Sequence, residues 1–99
     1  MQFIVTGYDG TDKEAMARRL AAREAHLALG DEMAATGHQR FGVAMLDDQG
    51  QMIGSVIIVE CDSKDELNAW LEKEPYVTGK VWERIEIKPC QIGPSFNKE

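Results

Sequence analysis

The sequence predicts an α+β domain of the ferredoxin-like type: an antiparallel sheet with two helices on one face. Two observations predict it. Short apolar, β-branched runs and longer runs of helical period follow one another in the order β-α-β-β-α-β, the split βαβ arrangement. Ser/Thr-x-x-Glu boxes and Gly or Pro stops then bracket the helical runs where that order requires them. With 99 residues, one domain over 1–99 is expected, residues 90–99 forming a C-terminal tail.

Residues 2–8 are rich in β-branched and aromatic types and end at Asp9-Gly10, a strand and its turn. Thr11 stands three before Glu14 as a capping box, and the helix that follows runs to about Ala35, where Gly37 closes it. Met16, Leu20, Leu27 and Ala34 recur at helical spacing and define the expected buried stripe. Gln39–Leu46 and Gln51–Cys61, joined by Asp47-Asp48-Gln49-Gly50, predict a hairpin. Ser63 and Glu66 form a second capping box, and the helix behind it buries Leu67, Trp70 and Leu71 before Pro75 ends it. Val81–Ile87 is the last strand, stopped by Pro89.

Helices cover only one face of such a sheet, and the free face normally turns polar. Val56-Ile57-Ile58-Val59 is apolar on both faces, and Phe3-Ile4-Val5 nearly so. A second copy of the chain is the economical cover, so a homodimer is expected.

Composition excludes several roles. The net charge is −6 and only Arg18 and Arg19 are adjacent among eleven basic residues, which argues against nucleic acid as a partner. No apolar stretch approaches the ~20 residues that cross a bilayer, and no leader pattern opens the chain, so a cytoplasmic protein without a membrane partner is expected. Cys61 and Cys90 lack paired-ligand spacing, which argues against zinc and for free thiols.

Taken in order, the residues resemble the YCII-related (YciI-like) family. Arg23-Glu-Ala-His26-Leu27 resembles its R-x-x-H-L signature, and Asp47–Gly50 its hairpin turn. Gly54-Ser55, Val59-Glu60 and Ser63 follow its G-S…V-E…S pattern. Glu74-Pro75-Tyr76 resembles the D-P-Y/F element, Gly79–Glu83 the G-V-W-E continuation, and Glu86–Pro89 the V-E-V-R-P ending. Two positions depart: Glu74 replaces the usual aspartate and Val43 the usual proline. The resemblance implies a dimeric α/β barrel, in which two such domains pack sheet to sheet. It also implies a site built on the helix histidine and the D-P-Y carboxylate. Relatives in the wider fold include dehydrochlorinases, lactone isomerases and monooxygenases.

His26 is the first candidate for chemistry. It lies about 90° from the centre of the expected stripe at ~100° per residue, a pocket-rim position. An imidazole near neutral pH can donate and accept a proton, and Glu74 is the candidate orienting partner. Arg23, one turn earlier, is a candidate for an anionic substrate group, and Tyr76 and Asp9 are candidate substrate-binding residues. Trp82 reads as core, and Ser55 lacks the setting of a nucleophile. No metal and no cofactor is expected; a set of His26, Glu74 and Asp9 is the minor alternative. The functional expectation is a small-molecule enzyme of lyase, isomerase or dehydrochlorinase type using the His26–Glu74 pair. The alternatives are a non-catalytic ligand-binding or accessory homodimer and a purely structural module.

Overall fold

In the computed structural model, which describes residues 1–97, the elements run β1 (Gln2–Asp9), α1 (Ala15–Ala35), β2 (Gln39–Leu46), β3 (Met52–Glu60), α2 (Lys64–Lys73), α3 (Pro75–Thr78) and β4 (Trp82–Cys90). The strands form one antiparallel sheet in the order β2-β3-β1-β4. This is the ferredoxin-like arrangement that the element order predicts.

Local chemistry explains most element ends. Gly37 takes φ +80° past the end of α1, and the His38 and Gly37 amides bond back to the carbonyls of Met33 (2.9 Å) and Ala34 (3.1 Å). In the hairpin, Asp47 Oδ1 accepts from the amides of Gln49 and Gln51, both at 2.9 Å, and Gly50 supplies φ +81°. Ser63 caps α2 by accepting from the Glu66 amide at 3.2 Å.

Three expectations are corrected. Thr11 and Glu14 form no capping box: α1 begins at Ala15, and the Glu14 amide bonds instead to Asp12 Oδ2. Arg18 also holds Asp12, bringing its carboxyl down to about 2. Pro89 does not stop β4, which continues to Cys90; β4 is an edge strand, where a missing amide donor is tolerated.

The third correction concerns α1. Leu20 and Leu27 are 58% and 47% exposed, and Ala34 is exposed. The inward positions are Ala15, Arg19, Ala22, His26, Leu29 and Met33, a strict four-three alternation along the helix. The two longest side chains at the head of that stripe are polar.

The core lies between the helices and one sheet face. Phe3 and Val5 of β1, Ile57 and Val59 of β3, and Trp82 of β4 meet Leu67 and Trp70 of α2 and Tyr76 of α3. Cys61 is buried and Cys90 half-buried; both are free, and burial pushes both thiols up in pKa. On the open face, register sets Phe41, Ile58, Ile4 and Lys88 in one row, and Val43, Val56, Thr6 and Glu86 in the next. That face is apolar on β2 and β3, mixed on β1 where Thr6 follows Ile4, and charged along β4. The tail touches it at one end, where Ile92 bonds to Gln2 and Asn97 to Arg40.

Gly7 sits where the Trp82 indole crosses β1. A Cβ there would come within 2.3–2.5 Å of three indole atoms. Gly7→Ala should therefore force the ring aside and lower stability by about 1–3 kcal/mol or more in urea denaturation. An unchanged midpoint would contradict this packing.

Candidate functional site

The site begins with a proline. Pro75 disfavours helical dihedrals at the residue before it, and Glu74 is accordingly extended at φ −67°, ψ 118°. Glu74 thus ends α2, its amide bonding to the Trp70 and Leu71 carbonyls, and also begins α3. Its side chain turns back as the N-cap of α3, with Oε1 accepting from the Tyr76 amide at 3.1 Å. The residue is thus held through its backbone on the α2 side and through its carboxylate on the α3 side, and it is fully buried.

His26 reaches this carboxylate from α1: its Nδ1 is in hydrogen-bond contact with Glu74 Oε1. Tyr76 clamps the imidazole from one face, ring centroids 3.7 Å apart and planes 7° from parallel. Trp82 meets both rings edge-on, at 6.4 Å from His26 and 5.8 Å from Tyr76. With Nδ1 on the carboxylate, Nε2 is the nitrogen left for a ligand. Burial pushes the Tyr76 phenol up in pKa, Arg19 and Arg23 opposing, so the phenol stays protonated.

A second buried unit lies along the same helix face. Arg19, 2% exposed, bonds both Asp9 carboxylate oxygens through Nη1 at 2.9 Å. Its Nη2 donates to Ser55 Oγ at 3.1 Å, and the Trp82 indole N–H reaches the same hydroxyl at 3.4 Å. The guanidinium carbon is 4.8 Å from the centre of the Tyr76 ring. Tyr76 is thereby gripped by the cation of one unit and the imidazole of the other.

Beside this arrangement a cleft of about 360 Å³ opens between α1 and the β2–β3 part of the sheet. Arg19, Arg23, His26 and Tyr76 line it. Of the residues that the sequence singles out, His26, Glu74, Tyr76 and Arg23 are brought together. Asp9 is not on the cleft walls; its carboxylate is taken by Arg19. For the same reason Asp9 does not join His26 and Glu74 as a ligand set, and no group of three metal-ligating side chains occurs among the described residues. No helix among them is long and apolar enough to cross a membrane.

Sequence reasoning missed Arg19 and Ser55. A signal for Arg19 exists: it falls seven before His26, on the same face, and anchors the four-three alternation. Leucine content drew the stripe elsewhere. Ser55 is marked only by the Gly54-Ser55 motif, which says nothing of its partners, because they come from α1 and β4.

The family model of the YCII-related domain matches residues 1–91. The chain belongs to the YCII-related family. Among curated relatives, protein YciI of Escherichia coli O6:H1 is 30% identical over 95 residues, covering 90% of this chain and 95% of the relative. Protein YciI of Shigella flexneri matches to the same extent. Among solved structures, the 5-chloro-2-hydroxyhydroquinone dehydrochlorinase of Burkholderia phenoliruptrix, in complex with 2,5-dihydroxybenzoquinone, superposes with a TM-score of 0.80 at 22% identity, covering 98% of this chain and 100% of that one. That likeness establishes the common fold. In this YCII-related domain the D-P-Y position is Glu74, and the longer side chain both caps α3 and meets the imidazole.

Breaking a buried charge pair strands the remaining charge. Arg19→Met should cost about 3–5 kcal/mol by leaving Asp9 unpaired, and Asp9→Asn should cost less because the amide oxygen still accepts. Denaturant titration of both variants checks the order; equal, negligible losses would remove the network.

Proposed function

We propose that this YciI-like chain is a small-molecule enzyme of lyase, isomerase or dehydrochlorinase type, and that the His26–Glu74 pair is its acid–base machinery. One observation supports the reading above others: His26 Nδ1 is held by a carboxylate with no exposed surface, while the ring borders a cleft. A neutral imidazole donating from Nδ1 to Glu74 presents a lone pair on Nε2. That nitrogen can take a proton from a substrate C–H or O–H, and the carboxylate then faces the imidazolium that forms. In a lyase step the freed electron pair becomes a double bond and the leaving group departs with its own pair. In an isomerase step the proton returns at another carbon. Arg23 on the cleft wall is the proposed anchor for an anionic oxygen of the substrate, and Tyr76 the platform that orients the imidazole. The dehydrochlorinase activity named for the solved structural neighbour belongs to the same reaction class.

The working unit is proposed to be a homodimer closed over the open sheet face. Ile4, Val56 and Ile58 are only half-covered there, with Phe41 and Val43 more than half exposed beside them. An apolar surface of that kind is what isologous pairing buries. Two unpaired thiols suit a reducing compartment, so the cytoplasm is the proposed location.

Nitrogen NMR tests the pair directly. Neutral His26 should carry its proton on Nδ1 in the wild type, and Glu74→Gln should mix the tautomers. On any substrate that the wild type converts, with chlorinated hydroxyhydroquinones first in the screen, His26→Asn should lower kcat by about a hundred- to ten-thousand-fold. Undiminished turnover by His26→Asn would end the acid–base reading. Tight binding without turnover would favour the non-catalytic ligand-binding dimer.

Sedimentation equilibrium tests the assembly. Two chain masses are expected at micromolar protein. Ile58→Asp, which charges the open face, should yield a folded monomer; Ile57→Asp, which charges the core, should unfold the chain. A wild-type monomer would overturn the dimer.

A further inference from the structure

We propose that the His26 cleft takes a small bipolar ligand. Its anionic oxygen is held at the Arg23 end, and a hydrogen-bond donor on it, an ammonium or a hydroxyl, is held at the other end by Gln39 and Asp31. This deepens the reading of the cleft as the substrate site and rests on it.

Arg23 and Asp31 both line the cleft and lie eight residues apart on α1, about 12 Å along its axis at ~1.5 Å per residue. Neither has a hydrogen-bond or ion-pair partner among the described residues. The walls are therefore polarised. At the Arg23 end stands a donor, the exposed Arg23 guanidinium, beside Arg19, whose Nη atoms are committed to Asp9 and Ser55. At the far end stand acceptors: the Asp31 carboxylate and Gln39 Oε1, which is buried and has no donor. A buried acceptor left unpaired is costly, so a site that keeps one is shaped for a donor that arrives. Arg40 also borders this end, but its guanidinium is held by Glu60 at 2.6 Å and Asn97 at 3.0 Å.

Gly30 supports the same reading independently. It sits inside a 21-residue helix, where glycine is the least favourable residue after proline. Nothing in the fold requires it there: a Cβ would meet only Gln39 Nε2, at an ordinary 3.6 Å. Its side-chain position lies on the cleft wall between His26 and Asp31. What its absence preserves is room for a ligand that spans the two ends.

Three benzoates separate the possibilities by calorimetry and by nitrogen shifts at His26. They are para-toluate (one anion), para-aminomethylbenzoate (anion and ammonium) and terephthalate (two anions). Para-aminomethylbenzoate should bind about tenfold tighter than para-toluate, the increment of a charge-assisted hydrogen bond, and terephthalate weaker than either. Asp31→Asn should collapse that tenfold preference towards unity. Gly30→Ala should raise the melting temperature and weaken all three. Equal binding of para-toluate and para-aminomethylbenzoate would overturn the inference, as would tightest binding of terephthalate, which would make Arg40 the reader of the far end. Failure of every benzoate to bind or to shift His26 would instead overturn the cleft as an anion site, and the proposed function with it.

Discussion

A carboxylate with no exposed surface constrains much of this molecule. Burying a charge is expensive unless donors meet it, and the fold meets Glu74 Oε1 with two, the Tyr76 amide across the helix break and the His26 imidazole from α1, while Oε2 is buried without a donor among the described residues. For the imidazole to arrive, α1 must lie over the sheet with that edge inward. For the carboxylate to wait there, α2 must end at Lys73, leaving Glu74 extended before Pro75. Tyr76 then has one place to go, stacked on the ring that its own amide helps to fix.

The inward edge of α1 is therefore not an oily stripe. Arg19 and His26 occupy positions that leucines would take in a plain bundle, and each brings its own carboxylate, Asp9 and Glu74. Leucines 20 and 27 lie outward as a consequence. Helices usually turn their greatest hydrophobicity to the core; here two buried polar pairs outrank it. Ala22, Leu29 and Met33 fill the remaining inward positions. Polar units of this kind gain little net stability over an apolar core, yet they define a single geometry for the groups involved.

The same arrangement gives the two sheet faces separate roles. The helix face holds the core and, at its β2–β3 side, the cleft. The open face remains apolar across β2 and β3 and turns polar through β1 to the charged β4. Gly7 and Trp82 join the core to the site on the helix face, because the indole that crosses β1 also edges the His26–Tyr76 stack.

The order of elements, the hairpin turn, the cap at Ser63, the stop at Gly37 and the helix break at Pro75 were legible in the sequence, because each depends on residues within a few positions of one another. The ordered motifs were likewise enough to mark His26 and Glu74. The orientation of α1 was not legible. Two stripes of comparable length run along that helix, and only contact with Asp9 and Glu74, which enter from other elements, selects the more polar one. Nor could the sequence assign Asp9 to Arg19, place Ser55 beneath both Arg19 and Trp82, or bring Gln39 opposite Gly30. Those pairings join residues far apart in the chain, and the energy that selects them, pairing of buried charge and exclusion of water, exists only once the elements have packed.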